Sequence, residues 1–160
     1  MSTHTISILV ENHAGALSRI AGLFSSRGYN IASLTVAITD DPTISRMTIV
    51  VGGDEEVLEQ VVKQLNRLVD VIKVLDFSRE PIVERELLLV AIDTTKNNRQ
   101  EVFSLAAVFN ARIAAVATSS VTVELTDRGE VLDDFIALVR PCGIRELVRS
   151  GTIALSRRGK

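Results

Sequence analysis

The sequence contains few of the residue types on which several classes of protein depend. One cysteine, Cys142, rules out an intrachain disulfide framework, and two histidines without nearby cysteines argue against a metal site. With no tryptophan and one tyrosine, the chain lacks the aromatic platforms on which single-stranded nucleic acids stack. A formal net charge of −2 predicts no general attraction to nucleic acid or to an anionic membrane. We therefore expect no metal, no nucleic acid and no membrane as partners of this chain.

Long apolar runs are also missing from the sequence, and we expect no leader segment. No run approaches the ~20 apolar residues of a membrane span, and residues 1–5 lack the basic start typical of a signal peptide. These features predict a cytoplasmic protein. Hydrophobic residues nevertheless make up 46% of the 160 residues and charged residues only 24%, which is enough to build a packed core.

The first half of the chain predicts the order β-α-β-β-α-β. Strands are expected over 5–11, 31–39, 43–52 and 71–77, where apolar residues alternate or β-formers cluster between turn signals. The helices between them carry apolar residues at helical spacing, and these stripes are predicted to face the core. The stripe of the first helix is Leu17, Ile20, Ala21 and Phe24, and that of the second is Leu58, Val61, Val62 and Leu65.

The second half repeats this order. Its predicted elements are a strand over 87–92, a helix over 99–109, a hairpin of 112–117 and 120–126, a helix after Asp127, and a final extended run within 144–156. The fold class is therefore predicted to be α+β, with two ferredoxin-like βαββαβ sandwiches in tandem. The expected domains are 1–78 and 84–160, joined by a linker over 79–83. Because each is small and leaves a sheet edge uncovered, we expect at least a homodimer.

The turn between the first strand and the first helix is the most promising binding site in the sequence. Residues 12–15, Asn-His-Ala-Gly, lead directly into the helix, whose first turn offers backbone N–H groups without intrahelical partners. Gly15, beside these groups, has no side chain. The partial positive charge of a helix N-terminus favours a small carboxylate. Because nothing in the turn has the pattern typical of a nucleophile, a general base or a metal-ligand set, the sequence favours a ligand sensor over an enzyme.

A second stretch, at the start of the second strand, complements this turn. In a ferredoxin-like sandwich this strand lies at a sheet edge, where a second copy can dock, so Asn30 of one subunit is expected to face Asn12 and Gly15 of the other. Two neutral amides together with backbone groups suit a zwitterion such as an amino acid. The apolar neighbours suited to a small aliphatic side chain are Leu17, Ile31 and Leu34. The alternative is an ordinary strand-to-helix turn, in which Asn12 caps the helix and Gly15 relaxes the backbone.

Two segments of the chain resemble a known family. The stretch ENHAGALSRIAGLFSSRGYNIASLTVA (11–37) closely resembles the amino-acid-binding ACT domain of the small regulatory subunits of acetolactate synthase, also called acetohydroxyacid synthase. EREL (84–87) and RPCGIRELVRSGTIALSR (140–157) are similar to the carboxy-terminal domain of that family. The likeness covers essentially the whole chain. Ala14 stands where many relatives have proline, and Cys142 where an aromatic residue is frequent.

The resemblance implies a non-catalytic regulatory subunit. Its partner would be the catalytic large subunit, whose activity it would raise and place under feedback inhibition by valine, or by leucine or isoleucine, in branched-chain amino acid biosynthesis. Thiamine diphosphate, Mg and FAD are expected in that partner, and no cofactor in this chain. In the family, the effector sits between two ACT domains related by a two-fold axis. The effector-binding residues that this implies are Asn12, Gly15, Ala16, Leu17, Asn30 and Ile31.

Two other functions fit parts of the pattern. A free-standing ACT-domain amino-acid sensor would regulate transcription or another enzyme, but the sequence shows no helix-turn-helix pattern and no basic face. A ferredoxin-like hydrolase such as an acylphosphatase would need an arginine-bearing, glycine-rich anion loop after the first strand, and residues 12–15 contain no arginine. Since function depends on the site and not on the fold, we expect the regulatory subunit first and the free-standing sensor second.

Overall fold

The computed structural model describes residues 2–158 and contains the β-α-β-β-α-β order in both halves, as predicted. Residues 1, 159 and 160, at the outer ends of the two predicted domains, lie outside the described part. The first half consists of β1 (Thr3–Glu11), α1 (Ala16–Arg27), β2 (Asn30–Ile38), β3 (Ile44–Gly52), α2 (Glu55–Asn66) and β4 (Val71–Asp76). The second consists of β5 (Ile82–Asp93), α3 (Arg99–Val108), β6 (Arg112–Val116), β7 (Ser120–Asp127), α4 (Gly129–Val139), a short 3₁₀ helix (Arg140–Cys142), β8 (Ile144–Arg149) and β9 (Ile153–Ser156).

The strands form two antiparallel sheets with the same topology. Their strand orders are β2-β3-β1-β4 and β6-β7-β5-β8. In the second sheet β9 also pairs with β5. β2 and β6 therefore lie at equivalent edges, which confirms the α+β, tandem ferredoxin-like prediction. One expectation is wrong in detail, because the run within 144–156 is interrupted at residues 150–152 and forms two strands. Gly151, at the interruption, is a residue type that weakens a continuous strand.

Each half has its own hydrophobic core between its sheet and its two helices. The alternation predicted for the first and third strands is confirmed, since the alternate residues of one face are buried. These residues are Ile6, Ile8 and Val10 on β1 and Met47, Ile49 and Val51 on β3. The core of the second half is centred on Phe135, which packs edge-on against Phe109 with ring centroids 5.2 Å apart.

The buried face of α1 differs from the predicted stripe. Ile20 and Phe24 are buried as expected, but Leu17 is 46% exposed and Ala21 is also exposed. Ala16 takes the buried position at the start of the helix instead. The apolar periodicity is compatible with either face, because residues 16 and 17 are both apolar. In the structure the buried face of the helix is shifted from Leu17 toward Ala16. The stripe of α2 is confirmed, with Leu58, Val61 and Leu65 buried and Val62 packed against the core.

The chain divides into two compact units. Among the described residues, one consists of 2–83 together with 152–158, and the other is Glu84–Gly151. This division falls next to the expected linker, although the last two residues of 79–83 already belong to β5. The predicted second domain, 84–160, also included the tail that the structure groups with the first unit. As independent folding units, the two domains stay a prediction. Within residues 2–158, no helix is both long and apolar enough to cross a membrane.

Candidate functional site

The turn between β1 and α1 holds the first helical N–H groups open. Gly15 occupies the N-cap position in the left-handed region, with φ of 87°, a conformation that glycine adopts without strain. Its carbonyl accepts from the backbone N–H of Arg19 at 2.9 Å, and no side chain of the described residues caps the helix. Within residues 2–158, the N–H groups of Leu17 and Ser18 donate to no protein acceptor. The start of α1 is therefore a set of free donors at the surface.

Asn12 does not cap the helix, so this part of the alternative interpretation is wrong. Its side-chain Nδ2 donates to the carbonyl of Pro42 at 3.0 Å, and its backbone N–H donates to the carbonyl of Thr43 at 2.8 Å. These two bonds fasten the turn to the β2–β3 connection. The bond to Pro42 uses Nδ2 of the Asn12 amide. Oδ1 of this exposed residue therefore remains as a hydrogen-bond acceptor.

The six predicted effector residues fall into two groups at opposite ends of the first sheet. Asn12, Gly15 and Leu17 are exposed near the end of β1, where Glu11 pairs with Ile44, and Ala16 beside them is buried. Asn30 pairs with Gly52, which also pairs with Thr3 at the start of β1. The two ends are separated by the length of β1, roughly 27 Å at about 3.4 Å per residue. A single chain therefore does not bring Asn30 and Ile31 to the turn.

Below the turn lies an ion-pair cluster that the sequence did not predict. Asp70 is 1% exposed, and its carboxylate accepts a hydrogen bond from Nε of Arg19, a residue 51 positions away in the chain. The backbone carbonyl of Asp70 also accepts from the N–H of Glu11 at 2.9 Å. The side chain of Arg19 is half exposed and lies against Gly15, since a Cβ built on Gly15 would come 3.0 Å from its Nη1. Asp70 thus connects β4, the end of β1 and the first turn of α1.

His13 joins the same cluster from the turn. Its Nε2 lies 3.0 Å from Oε2 of Glu11 and 3.0 Å from Oδ1 of Asp70, and the hydrogen bond goes to Glu11. That bond, aided by the nearby Asp70 carboxylate, raises the pKa of His13 above its ordinary value of 6.5. The hydrogen bond from Arg19 lowers the pKa of Asp70 below 3.8, and the positive charges of Arg19 and His13 contribute to the same shift. The cluster therefore keeps its buried carboxylate ionised.

The cluster has some of the geometry of a metal site but the wrong charge for one. Ligand atoms of Glu11, His13 and Asp70 lie within 4.8 Å of one another. The guanidinium of Arg19 already occupies the other oxygen of Asp70, and a permanent cation at that position repels a metal ion. The donor set is therefore better described as an internal ion-pair network. This geometry gives no reason to change the expectation that the chain holds no metal.

An open groove elsewhere in the first unit is less suited to an anionic ligand. It has a volume of about 520 Å³ and runs along the start of α2. Its lining residues are Tyr29, Asp54, Glu56, Val57, Glu59 and Gln60. Three of these six are acidic, so a carboxylate would be repelled, and none belongs to the predicted effector residues. The β1–α1 turn remains the better candidate.

Comparisons with known proteins agree in both halves of the chain. Residues 6–73 match the family described as "AHAS small subunit-like ACT domain", and residues 85–158 match the family described as "Small subunit of acetolactate synthase". The chain is 51% identical to the acetolactate synthase isozyme 3 small subunit of Escherichia coli K12, over 97% of this chain and 96% of that protein. It is 48% identical to the probable acetolactate synthase small subunit of Archaeoglobus fulgidus, over 98% of each chain.

A solved structure has the same fold over nearly the full length. The crystal structure of the acetolactate synthase small subunit from Thermotoga maritima superposes with a TM-score of 0.91 at 34% sequence identity, covering 98% of both chains. This similarity includes both ferredoxin-like halves.

Proposed function

Because the chain belongs to the family of acetolactate synthase small subunits, which are regulatory and non-catalytic and associate with a catalytic large subunit, we propose that it senses a branched-chain amino acid on behalf of that enzyme. Binding of valine, or of leucine or isoleucine, inhibits the large subunit, and the free small subunit raises its activity. Thiamine diphosphate, Mg and FAD belong to the large subunit in this proposal, and the assembly works in the cytoplasm. Family membership favours this function over the free-standing sensor.

The observation that carries the proposal is the uncapped start of α1 beside Gly15. The free N–H groups of Leu17 and Ser18 are suited to the carboxylate of an amino acid, because the dipole of the helix favours negative charge there. The remaining Oδ1 of Asn12 is an acceptor suited to the ammonium group. The turn therefore offers both kinds of group that a zwitterion needs.

The site is completed by a second copy of the chain in this proposal. Asn30 and Ile31 lie at the far end of the sheet from the turn, at the start of an edge strand. Antiparallel pairing of β2 with β2 of another copy reverses this order, so that Asn30 of one subunit lies at the sheet end where the partner's turn stands. Leu34 and Val36, which are partly exposed on β2, are covered by the same pairing. A homodimer thus supports both the stability of the edge and the formation of the pocket.

We expect the proposed pocket to prefer amino acids with aliphatic side chains over other amino acids. We expect smaller differences in affinity among the aliphatic amino acids themselves. Leu17 is exposed at the turn, and Ile31 and Leu34 lie on the strand that the partner contributes. One methylene in such a pocket is worth ~1–3 kcal/mol. We therefore expect valine, leucine and isoleucine to bind within about two orders of magnitude of each other.

Effector binding between two subunits provides a route to regulation. A ligand changes activity only when it binds one arrangement of the domains more tightly than another. An amino acid that touches the turn of one copy and β2 of the other stabilises the dimer arrangement that holds both. The large subunit then responds to the population of that arrangement.

Calorimetric titration of the full chain tests the proposal. We expect saturable binding of valine, leucine or isoleucine, no binding of lysine, and inhibition by the same amino acids after reconstitution with the large subunit. Asn30→Ala is expected to weaken valine binding about tenfold by removing one hydrogen-bonding side chain, without unfolding the protein. The matched control is Asn66→Ala, since Asn66 lies at the end of α2 and bonds to Val62. If the wild-type chain binds none of the three amino acids at millimolar concentration, the proposal is wrong.

A further inference from the structure

We propose that Arg19 is a further effector-binding residue, whose guanidinium receives the carboxylate of the amino acid beside Gly15. The inference rests on the effector site proposed above and adds a charged side chain to its neutral groups. Four observations carry it: the orientation of the guanidinium, its unoccupied donors, its position against Gly15 and the direction of its charge.

The orientation of Arg19 is set from inside the protein. Its Nε donates to the carboxylate of Asp70, which is 1% exposed and is the best-buried charged side chain near the turn. Asp70 is itself held in place, because its backbone carbonyl accepts from Glu11 at 2.9 Å. A side chain with four rotatable bonds is thus fixed at its charged end, which lowers the entropy cost of using it to bind a ligand.

The outer donors of the guanidinium are unoccupied. Within residues 2–158, neither Nη1 nor Nη2 of Arg19 donates to an acceptor, and the side chain is 49% exposed. An arginine that serves only as an internal ion pair more often turns its paired donors toward the carboxylate. Here Arg19 bonds to Asp70 through Nε, and within the described residues its Nη1–Nη2 edge has no acceptor. Two parallel donors at this edge match the two oxygens of a carboxylate.

The position of these donors coincides with the proposed site. Nη1 lies 3.0 Å from the point where a Cβ on Gly15 would stand, so the guanidinium covers one side of this residue. The free N–H groups of Leu17 and Ser18 belong to the helical turn that Gly15 begins. Backbone and side-chain donors therefore flank the same stretch of surface. The absence of a side chain at Gly15 leaves the approach between them open.

The ion pair of Arg19 and Asp70 has its positive end toward the proposed site of the ligand carboxylate. Asp70 is buried and Arg19 is half exposed, so the pair forms a dipole with its positive end at the surface. Arginine keeps its charge at every physiological pH. Glu11, an exposed carboxylate of the same cluster, is engaged by His13. An incoming carboxylate consequently meets the positive end of the pair together with the positive end of α1.

The test compares L-valine with L-valinamide, which lacks the carboxylate charge, by calorimetry on the full chain. We expect the wild type to bind valine at least about tenfold more tightly than valinamide, because a charge-assisted hydrogen bond is replaced by a weaker one. Arg19→Gln is expected to lose at least about tenfold in valine affinity while its valinamide affinity changes little, so the ratio of the two falls. Arg27→Gln is the matched control, since Arg27 lies in the last turn of the same helix and should leave both affinities unchanged.

The Arg19→Lys variant tests whether a loss of structure, and not of a ligand contact, explains a lower valine affinity. Lysine still places a positive charge near Asp70, so the unfolding temperature should stay near that of the wild type. It lacks the two parallel N–H donors of a guanidinium, so the ratio of valine to valinamide affinity should fall. If a folded Arg19→Gln or Arg19→Lys protein keeps the wild-type ratio, Arg19 does not bind the carboxylate, and the proposed function stands without it. If the wild-type chain binds no valine at all, both the inference and the proposed function are overturned.

Discussion

The turns that begin the first helix of each half occupy the same place in the same fold, yet the arginines beside them are bonded differently. In the second half, residues 94–98 connect β5 to α3. Arg99 donates through Nη2 to the carbonyls of Ala117 and Thr118, both at 2.9 Å. Arg145 is bound by Asp93 at 3.3 Å, and its Nη1 donates to Ser119 at 3.1 Å. The two arginines around the second turn therefore donate to acceptors of the protein itself.

In the turn between β1 and α1, the nearby arginine has Nη donors that are unoccupied within residues 2–158. Among the described residues, Arg19 forms a hydrogen bond through Nε alone, and Gly15 leaves the surface beside it open. In the described part of the chain neither α1 nor α3 has a side-chain cap, so the helix start alone does not distinguish the two turns. The difference lies in how the nearby arginines are bonded, since Nη atoms of Arg99 and Arg145 donate within the protein. Repetition of the fold has thus repeated the scaffold without repeating the proposed site.

Gly15→Asp is the substitution with the largest expected effect on this comparison. Its Cβ would meet Nη1 of Arg19 at 3.0 Å, and its carboxylate would take the place that we assign to the carboxylate of the effector. The backbone at φ of 87° also disfavours any side chain. We expect inhibition by valine to be lost, with valine affinity lowered by about a hundredfold or more, while activation of the large subunit remains.

Gly22→Asp is the control for this prediction. Gly22 lies in the same helix, and a Cβ built on it meets nothing within 4 Å. The same charge placed there should leave both inhibition and activation unchanged. If Gly15→Asp still activates the enzyme and keeps its full sensitivity to valine, the effector site has been placed at the wrong turn.

The next largest effect is expected at the two sheet edges. Val36 on β2 is 39% exposed and Val116 on β6 is 56% exposed, so a lysine is tolerated sterically at either position. Val36→Lys should raise the dimer dissociation constant about tenfold or more and weaken valine binding, because charges on an edge oppose strand pairing. Val116→Lys should change neither quantity. Sedimentation over a concentration series, with calorimetry on the same samples, distinguishes the two edges, and equal effects at both would contradict a dimer through β2.

A smaller effect is expected when the second turn loses its internal bonds. Arg99→Gln removes the donor shared by Ala117 and Thr118 and should lower the free energy of unfolding by about 1 kcal/mol. Valine affinity should not change, since this turn binds no effector in our proposal. Denaturant unfolding measures the first quantity and calorimetry the second. A loss of valine affinity with unchanged stability would mean that the second turn also belongs to an effector site.

The sequence predicted the scaffold well because the signals for it are local. Alternation identified the buried faces of β1 and β3, and helical spacing identified α2. For α1 the same reasoning placed Leu17 in the core, because Ala16 and Leu17 are adjacent and both apolar. Only packing against the sheet decides between them, and it leaves the larger residue at the surface.

The ion-pair cluster was missed because its members are distant in the chain. Arg19 and Asp70 are 51 positions apart, and neither belongs to a motif that joins them. A signal was nevertheless present, since Asp70 is a lone acid within the apolar run 68–72. A carboxylate in such a run must find a partner when it is buried. The tie from Asn12 to Pro42 was missed for a similar reason, because a side chain in a turn has no periodicity.

The smallest expected effect concerns pH, and it too separates the two turns, because both histidines of the sequence lie in the first half. The bond to Glu11 and the nearby Asp70 raise the pKa of His13 above 6.5, so folding favours the protonated ring. The resulting stabilisation is complete below pH 6.5 and disappears as the pH rises through the raised pKa. The difference in unfolding temperature between the wild type and His13→Gln should therefore shrink from pH 5.5 to pH 8.5. Glu11→Gln removes the main cause of the shift and should flatten this trend, and an equally steep trend in that variant would contradict the assignment.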